Sequence, residues 1–413
     1  MKMWVFLVAL FVTQPALSTP SIEMLHWWTA EGEDSALSVI EDRFRLLPFT
    51  LKSDPIAGGG GGPAKSILQA RAIAGYSPDI AQMEGPAIQS WAALGFLMDM
   101  NEVAKLNNWD QSLYPDIQAI HKYNGNYVAI PLNIHRLNWM WINTEVLAEH
   151  QLPPPNDWDS LLLALNVLKN KGITPLALGE DPWQVVQIFE NIAFGVGGAH
   201  YYRQAFVDLD PEALNSPKTL EALDRFRALA NIVGNDLSKI SWDQGTKALL
   251  KGEYAFQFTG DWALGEMLSS GSSIPDYIQC SPFPSTENGF IYNVDSLAFF
   301  STRSNEEQNI TSIMAALSAP KFLLEFSEKK GSIPAQANIP IDDLSRCQQK
   351  SYDDYIRASR DGSAMPSLTD SMAVNPVIQN AVSNELYRYF IDSSITSKTL
   401  IGHLNAINNE MFR

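Results

Sequence analysis

FTLKSDPIAGGGGGPAKSILQARAIAGYSPDIAQMEG, residues 49–85, carries two candidate strands separated by a glycine loop and a helix. FTLKSDPI (49–56) reads as a strand. AGGGGGPAKSILQARAIAG (57–75) reads as the loop and its helix, and SPDIAQMEG (77–85) as a short buried strand. Upstream, IEMLHW (22–27) alternates like a strand, and SALSVIEDRFRLL (35–47) has apolar residues at helical spacing. Strand followed by helix, repeated, predicts an α/β chain with a mostly parallel sheet. In such sheets ligands bind beyond the carboxyl ends of the strands. The residues to watch are therefore Trp27, Trp28, Glu31 and Glu33 after the first strand, and Gln82 and Glu84 after the third.

The glycine run invites comparison with a phosphate loop. GGGGGPAKS (58–66) has Ala64, not glycine, directly before Lys65, so nucleotide binding is rejected. The glycines instead permit close backbone approach near a cleft. Further on, HKYNGNYVAIPLNIHRLNWMWIN (121–143) begins as a hairpin, with Asn124-Gly125 as a type I′ turn, and continues as a crossover between two lobes. TEVLAEH (144–150) and DWDSLLLALNVLKNKG (157–172) read as helices, the second stopping at Gly172. TPLALGED (174–181) reads as a strand of the second lobe. DQGTKALLKG (243–252), YAFQF (254–258) and GDWALGEML (260–268) give a helix, a strand and a loop opening a helix. NVDSLAFF (293–300) reads as a return to the first lobe, and no internal repeat is visible.

A chain of 413 residues exceeds one ordinary core and implies two lobes. Its net charge of -17 gives phosphate backbones and anionic lipid surfaces nothing to bind, so no nucleic-acid partner is expected. Residues 1–18, MKMWVFLVALFVTQPALS, read as a secretory leader, with Ala16 and Ser18 at the spacing of a cleavage site. Its removal takes Lys2 and leaves a still more acidic, exported chain. No cysteine sits at the cleavage site and no later run is long enough to insert in a membrane. The two cysteines, Cys280 and Cys347, are free to pair in an oxidising compartment. With six histidines and no HExxH or His/Cys cluster, neither a metal nor another cofactor is expected.

Nothing in the chain forms a GxSxG elbow or a distinctive acid pair. Lone histidines such as His26 and His135 read as structural. The tryptophans say more. Trp27, Trp28, Trp242 and Trp262 sit at element ends among polar residues, in HWWTAEGE, ISWDQG and TGDWALG, whereas Trp91 and Trp139 sit in apolar runs. Taken singly, each of the four reads equally well as core. Taken together, with acids, amides and lysines nearby, they suggest a carbohydrate cleft. A pyranose stacks its C–H faces on indole and offers a belt of hydroxyls to directional polar groups.

HWWTAEGE, the glycine loop leading to SPDIAQ, IPLNIHRLNWMW, LALGE, SWDQ…KGEYAF…GDWA, NVDS and KKGSIPA together resemble extracytoplasmic sugar-binding proteins of ABC importers. The likeness is to the glucose/mannose-binding branch of the maltose-binding-like group and spans nearly the whole mature chain. It implies a two-lobed periplasmic-binding fold of type II character, with a hinge of two or three crossings and a ligand cleft between the lobes. It also implies Trp27 and Trp28 as one aromatic wall, Glu33 (or Glu31) and Asp295 as hydroxyl acceptors, and Gln82 at the next strand end. Trp242 and Trp262 would face them from the second lobe, and Lys330 would donate. Two positions depart from the family. Glu84 stands where relatives carry a basic residue, and Asp370 where glucose-binding relatives place a histidine. Two added carboxylates without a cation are costly in a dry pocket. Either the ligand is an amino sugar or a sugar with a different hydroxyl pattern, or one or both acids pair with lysine or arginine in the wall or lie outside the pocket.

The expected organisation is a leader at 1–18, a first lobe at 19–130 with 296–334, and a second at 131–295 with 335–413. The expected role is binding rather than chemistry: a periplasmic, monomeric protein that takes a monosaccharide to ABC permease subunits. A secreted glycosidase and a sugar-binding module for a chemosensory receptor are the alternatives.

Overall fold

The structure, a computed structural model, describes residues 19–234, 237, 239–271, 273–301 and 307–411. The leader at 1–18 lies outside the described residues. The first part alternates as expected: β1 (Ser21–His26), α1 (Glu31–Arg45), β2 (Thr50–Pro55), α2 (Gly62–Ile73) and β3 (Ile80–Met83). Glu31, Glu33 and Asp34 crowd the first turn of α1 and Arg43 and Arg45 its last, which suits the helix dipole at both ends. Its other face buries Ala36, Leu37, Ile40 and Phe44. Asn124 and Gly125 both take positive φ, at 49° and 82°, and turn β4 (Lys122–Tyr123) into β5 (Asn126–Tyr127).

Then come β6 (Ile130–Pro131), β7 (Asn133–Arg136) and β8 (Trp139–Asn143), and later β9 (Phe256–Gln257), β10 (Ile278–Pro282), β11 (Phe290–Asn293) and β12 (Ser296–Phe299). The last strands are β13 (Ile333–Pro334) and β14 (Ala364–Pro366). A five-stranded sheet runs in the order β2-β1-β3-β12-β6. β1 lies parallel to β2 and β3, but β12 is antiparallel to both its neighbours, β3 and β6. The sheet is thus mixed, because NVDSLAFF re-enters it from a distant part of the chain. A three-stranded sheet, β10-β8-β9, is antiparallel throughout. TPLALGED forms no strand, only isolated bridges at Leu176, which pairs with Phe256, and at Gly179. Between these sheets, β13-β7-β11-β14 gathers four distant segments into one sheet.

Among the described residues, the two largest of four hydrophobic clusters follow this division. One surrounds the five-stranded sheet, with Ile22, Met24, Ile40, Phe44, Leu297, Phe322 and Phe326. The other lies among the long helices Pro182–Tyr202, Pro217–Val233 and Pro376–Ile391, with Phe189, Phe226, Leu386 and Phe390. Tyr355 and Ala358, on the helix Arg346–Asp361, pack with the first core.

Cys280 on β10 is disulfide-bonded to Cys347 on that helix, across 67 residues of sequence and a Cα–Cα distance of 6.1 Å. The bond closes a long loop in the unfolded chain. Replacing both cysteines by alanine is expected to destabilise the protein by about 4 kcal/mol on the loop-closure account. Urea titration with and without a reductant checks this; coincident midpoints would contradict it.

Candidate functional site

The strand ends of the five-stranded and four-stranded sheets converge on one cavity. Trp27, Thr29 and Glu33 enter it from the β1–α1 connection, Gly59 and Gly60 from the glycine loop, and Glu84 from the end of β3. His135, Asn293 and Asp295 come from β7 and the β11–β12 link, and Lys330 precedes β13. Trp183, Trp242, Trp262 and Asp370 close the remaining sides. The cavity between them is narrow, with a volume of ≈ 60 Å³.

Trp262 is central to the aromatic surround. Its ring centroid lies 6.0 Å from that of Trp183, 6.5 Å from Trp242 and 5.4 Å from the His135 imidazole, all edge-on. The glycine loop reaches the cleft because side chains would not fit. A Cβ at Gly59 would lie 2.7 Å from Trp183 Nε1, and one at Gly61, where φ is +71°, 2.7 Å from the Trp27 ring. The expectation of close backbone approach is thus met by contact with two indoles.

The charges are arranged in tied sets. Asp295 accepts from Gln82 Nε2 at 2.8 Å, Asn133 Nδ2 at 3.3 Å and His135 Nε2 at 3.1 Å. Burial alone raises its pKa, but Lys330 and His135 overcome that and hold it below the ordinary carboxylate range. His135 also meets Asp261 through Nδ1. Burial lowers the His135 pKa, the two carboxylates raise it further, and the balance is a pKa of about 9. Lys330 Nζ donates to Glu33 Oε1 at 2.9 Å, and Glu33 Oε2 accepts from the Thr29 and Ala30 N–H groups at 2.9 and 3.2 Å. Burial opposes the Lys330 charge, but Glu33 and Asp295 leave its pKa raised.

Glu84 is paired. Its Oε2 accepts from Lys65 Nζ at 2.9 Å and its Oε1 from Asn293 Nδ2 at 2.7 Å. The lysine comes from α2 and lies over the Trp27 ring, 5.0 Å from its centroid. Burial nonetheless leaves the Glu84 pKa raised despite Lys65. Asp370 differs: it is buried, it lines the cavity, and its Oδ2 has no hydrogen-bond partner.

A second, larger groove lies behind Lys65 and Glu84, with a volume of ≈ 900 Å³. Leu68, Met83, Trp91, Val377, Ile378 and Ile407 line it. Its walls are mostly apolar and its two charged groups, Lys65 and Glu84, are paired with each other, so the smaller cavity, where more polar groups meet, is the candidate site.

The family model for bacterial extracellular solute-binding proteins matches residues 54–323. A probable sugar-binding periplasmic protein of Rhizobium meliloti is 34% identical over 377 residues, which cover 91% of this chain and 90% of that one. The chain belongs to the bacterial extracellular solute-binding protein family. A further relative, a probable sugar-binding periplasmic protein of Brucella suis, is 34% identical over 386 residues, 94% of this chain and 91% of that one. Among solved structures, a chitin oligosaccharide binding protein superposes with a TM-score of 0.79 at 18% identity, covering 95% of this chain and 98% of that one. The fold is the two-domain α/β fold of maltose-binding-like solute-binding proteins.

In this solute-binding protein, eight of the ten sequence-derived site residues meet at the cavity: Trp27, Glu33, Glu84, Trp242, Trp262, Asp295, Lys330 and Asp370. Two do not line it. Trp28 follows Trp27 on an extended segment and turns the other way, into the first core, with its ring 5.4 Å from Phe326. Gln82 stands behind the wall, where its Oε1 accepts from Trp27 N at 3.0 Å and its amide donates to Asp295. It positions both rather than facing the cavity. Glu31 points outward and pairs with Lys247 at 3.2 Å, which leaves Glu33 as the inward acid. Trp183, Asn293 and Thr29 were not foreseen, and His135, read as structural, faces the cavity.

Proposed function

We propose that this protein captures a monosaccharide, either a glucose-like hexose or an amino sugar, and delivers it to an ABC importer. One observation carries the reading. A narrow cavity is walled by Trp27, Trp183, Trp242 and Trp262 and studded with fixed, oppositely charged polar groups. Indole faces suit C–H surfaces, and Glu33, Asp295, Asn293 and Lys330 suit hydroxyls. Two relatives, each named a probable sugar-binding periplasmic protein, support the sugar and the compartment. The tryptophan, acid and lysine set favours the glucose/mannose-binding branch.

The protein works as a monomer in the periplasm after its leader is cut near Ser18. Its lobes are 19–130 with 296–334, and 131–295 with 335–413, a division supported by the five-stranded sheet of residues 21–131 and 296–299. Closure of the lobes encloses the sugar and presents a surface to the permease. The carboxylates hold hydroxyls and perform no chemistry.

Titration calorimetry with glucose, mannose, galactose, their amino derivatives and a few disaccharides tests this, with product analysis of the same samples. One-to-one binding of one monosaccharide without turnover is expected. Trp262→Ala is expected to weaken that binding roughly tenfold or more through lost stacking. Consumption of a disaccharide, or no sugar binding, would overturn the proposal.

A further inference from the structure

Asp370 is 6% exposed and held in place by its own backbone. Its N–H donates to Ser367 Oγ at 2.9 Å, and its carbonyl accepts from Asn293 Nδ2 at 3.1 Å. Yet its Oδ2 is unpartnered inside the cavity. The cations of the site are committed elsewhere. Lys65 holds Glu84, Ser371 Oγ at 2.8 Å and the Gly60 carbonyl at 3.0 Å. His135 is shared between Asp261 and Asp295, and Lys330 is bound to Glu33. Behind Asp370, a further buried acid, Glu190, accepts from the Thr369 N–H at 2.9 Å and from Ser367 Oγ at 3.1 Å. The Asp370 side of the cavity therefore gathers two buried acids, Asp370 and Glu190, that no protein cation pairs with among the described residues.

Burial without a counter-charge favours the neutral acid form of Asp370, and a cation placed against it would favour the carboxylate. A neutral hexose can donate a hydroxyl to Asp370 but brings no charge, and a sugar acid would bring another carboxylate. We propose that the ligand is an aminohexose, held with its protonated amine against Asp370 while Glu33, Asp295 and Asn293 take its hydroxyls. This deepens the sugar-capture reading and rests on it.

A proton linkage follows. Burial, then the Glu84 and Glu190 carboxylates, push the Asp370 pKa well above the ordinary range, with Lys65 and His135 opposing. An ammonium favours the ionised form. Aminohexose affinity therefore rises with pH as Asp370 loses its proton, until the amine itself deprotonates near about pH 8.

Calorimetry on the mature protein, with glucosamine, mannosamine and galactosamine against their parent hexoses and N-acetylglucosamine, tests the proposal. One aminohexose is expected to bind roughly 10- to 100-fold tighter than its parent and than the uncharged N-acetyl sugar, as a charge-assisted contact provides. In Asp370→Asn that ratio is expected to fall close to one. The wild-type ratio and its pH trend decide the matter even if the variant folds poorly. A parent hexose that binds as tightly as its amine, at every pH, would overturn the aminohexose assignment and leave sugar capture standing. Failure of every sugar to bind would overturn both.

Discussion

Asp295→Asn is expected to weaken sugar binding roughly 100-fold and to destabilise the protein by about 3 kcal/mol. Asp295 is 3% exposed and lies at the meeting point of three donors, Gln82, Asn133 and His135, with the Lys330 charge nearby. Asparagine keeps the shape and removes the charge. His135 and Lys330, whose pKa values are both raised by the surrounding acids, then face each other with less compensation. Gln82 also loses a strong acceptor, and Gln82 carries the Trp27 backbone through its other amide atom. One substitution thus loosens an indole wall and an acceptor together. Calorimetry and urea titration read the two effects separately. Unchanged affinity in a folded Asp295→Asn protein would remove Asp295 from the site.

The second large effect is expected from a methyl group. Gly32 lies in the first turn of α1, and a Cβ there would fall 2.5 Å from Glu266 N and from the Gly265 carbonyl carbon. These are backbone atoms of the helix Trp262–Ser269 and have no rotamer by which to move aside. The contact is close enough for Gly32 N to donate to Glu266 Oε2 at 2.8 Å, and Lys247 bridges Glu266 and Glu31 on its flank. Glu33 is the next residue, and Trp262 begins the opposing helix. Gly32→Ala therefore forces apart two elements that each carry a wall of the cavity. Overpacking of this kind costs about 1–3 kcal/mol, which as affinity is roughly 5- to 150-fold. Gly62→Ala is the control: a Cβ there meets nothing within 4 Å, and it is expected to leave binding unchanged. Equal affinity in both variants would show that sugar capture does not depend on this helix contact.

What was legible in the sequence was whatever short-range pattern controls. Alternation and helical spacing located β1, α1, β2, α2 and β3 to within a few residues, and Asn124-Gly125 marked its hairpin. The pairing of β12 was not legible, because its antiparallel register against β3 joins segments over 200 residues apart. TPLALGED has the composition of a strand, but it makes only isolated bridges at Leu176 and Gly179. The same limit governs the site. Trp27 and Trp28 had to face opposite ways on an extended segment, yet the phase that turns Trp27 to the cavity is set by Phe326 and the first core. His135 looked like any structural histidine; its charge comes from Asp261 and Asp295, far along the chain. Trp183 opens a helix after Asp181-Pro182, and only its contact with Gly59 reveals its role. Glu84 looked uncompensated because Lys65, its partner, lies on the neighbouring helix α2. Glu190, an acid inside the apolar run IFENIAF, was a visible anomaly that went unread. Burial lifts its pKa to about 7 against the hydrogen bonds from Thr369 and Ser367.

A crystal structure of the mature protein with its tightest-binding monosaccharide tests the central claim most directly. The account predicts one sugar ring among Trp27, Trp183, Trp242 and Trp262, with hydroxyls within hydrogen-bond distance of Glu33 and Asp295. A sugar seated instead in the larger groove against Leu68, Trp91 and Val377, with the tryptophan cavity empty, would contradict it.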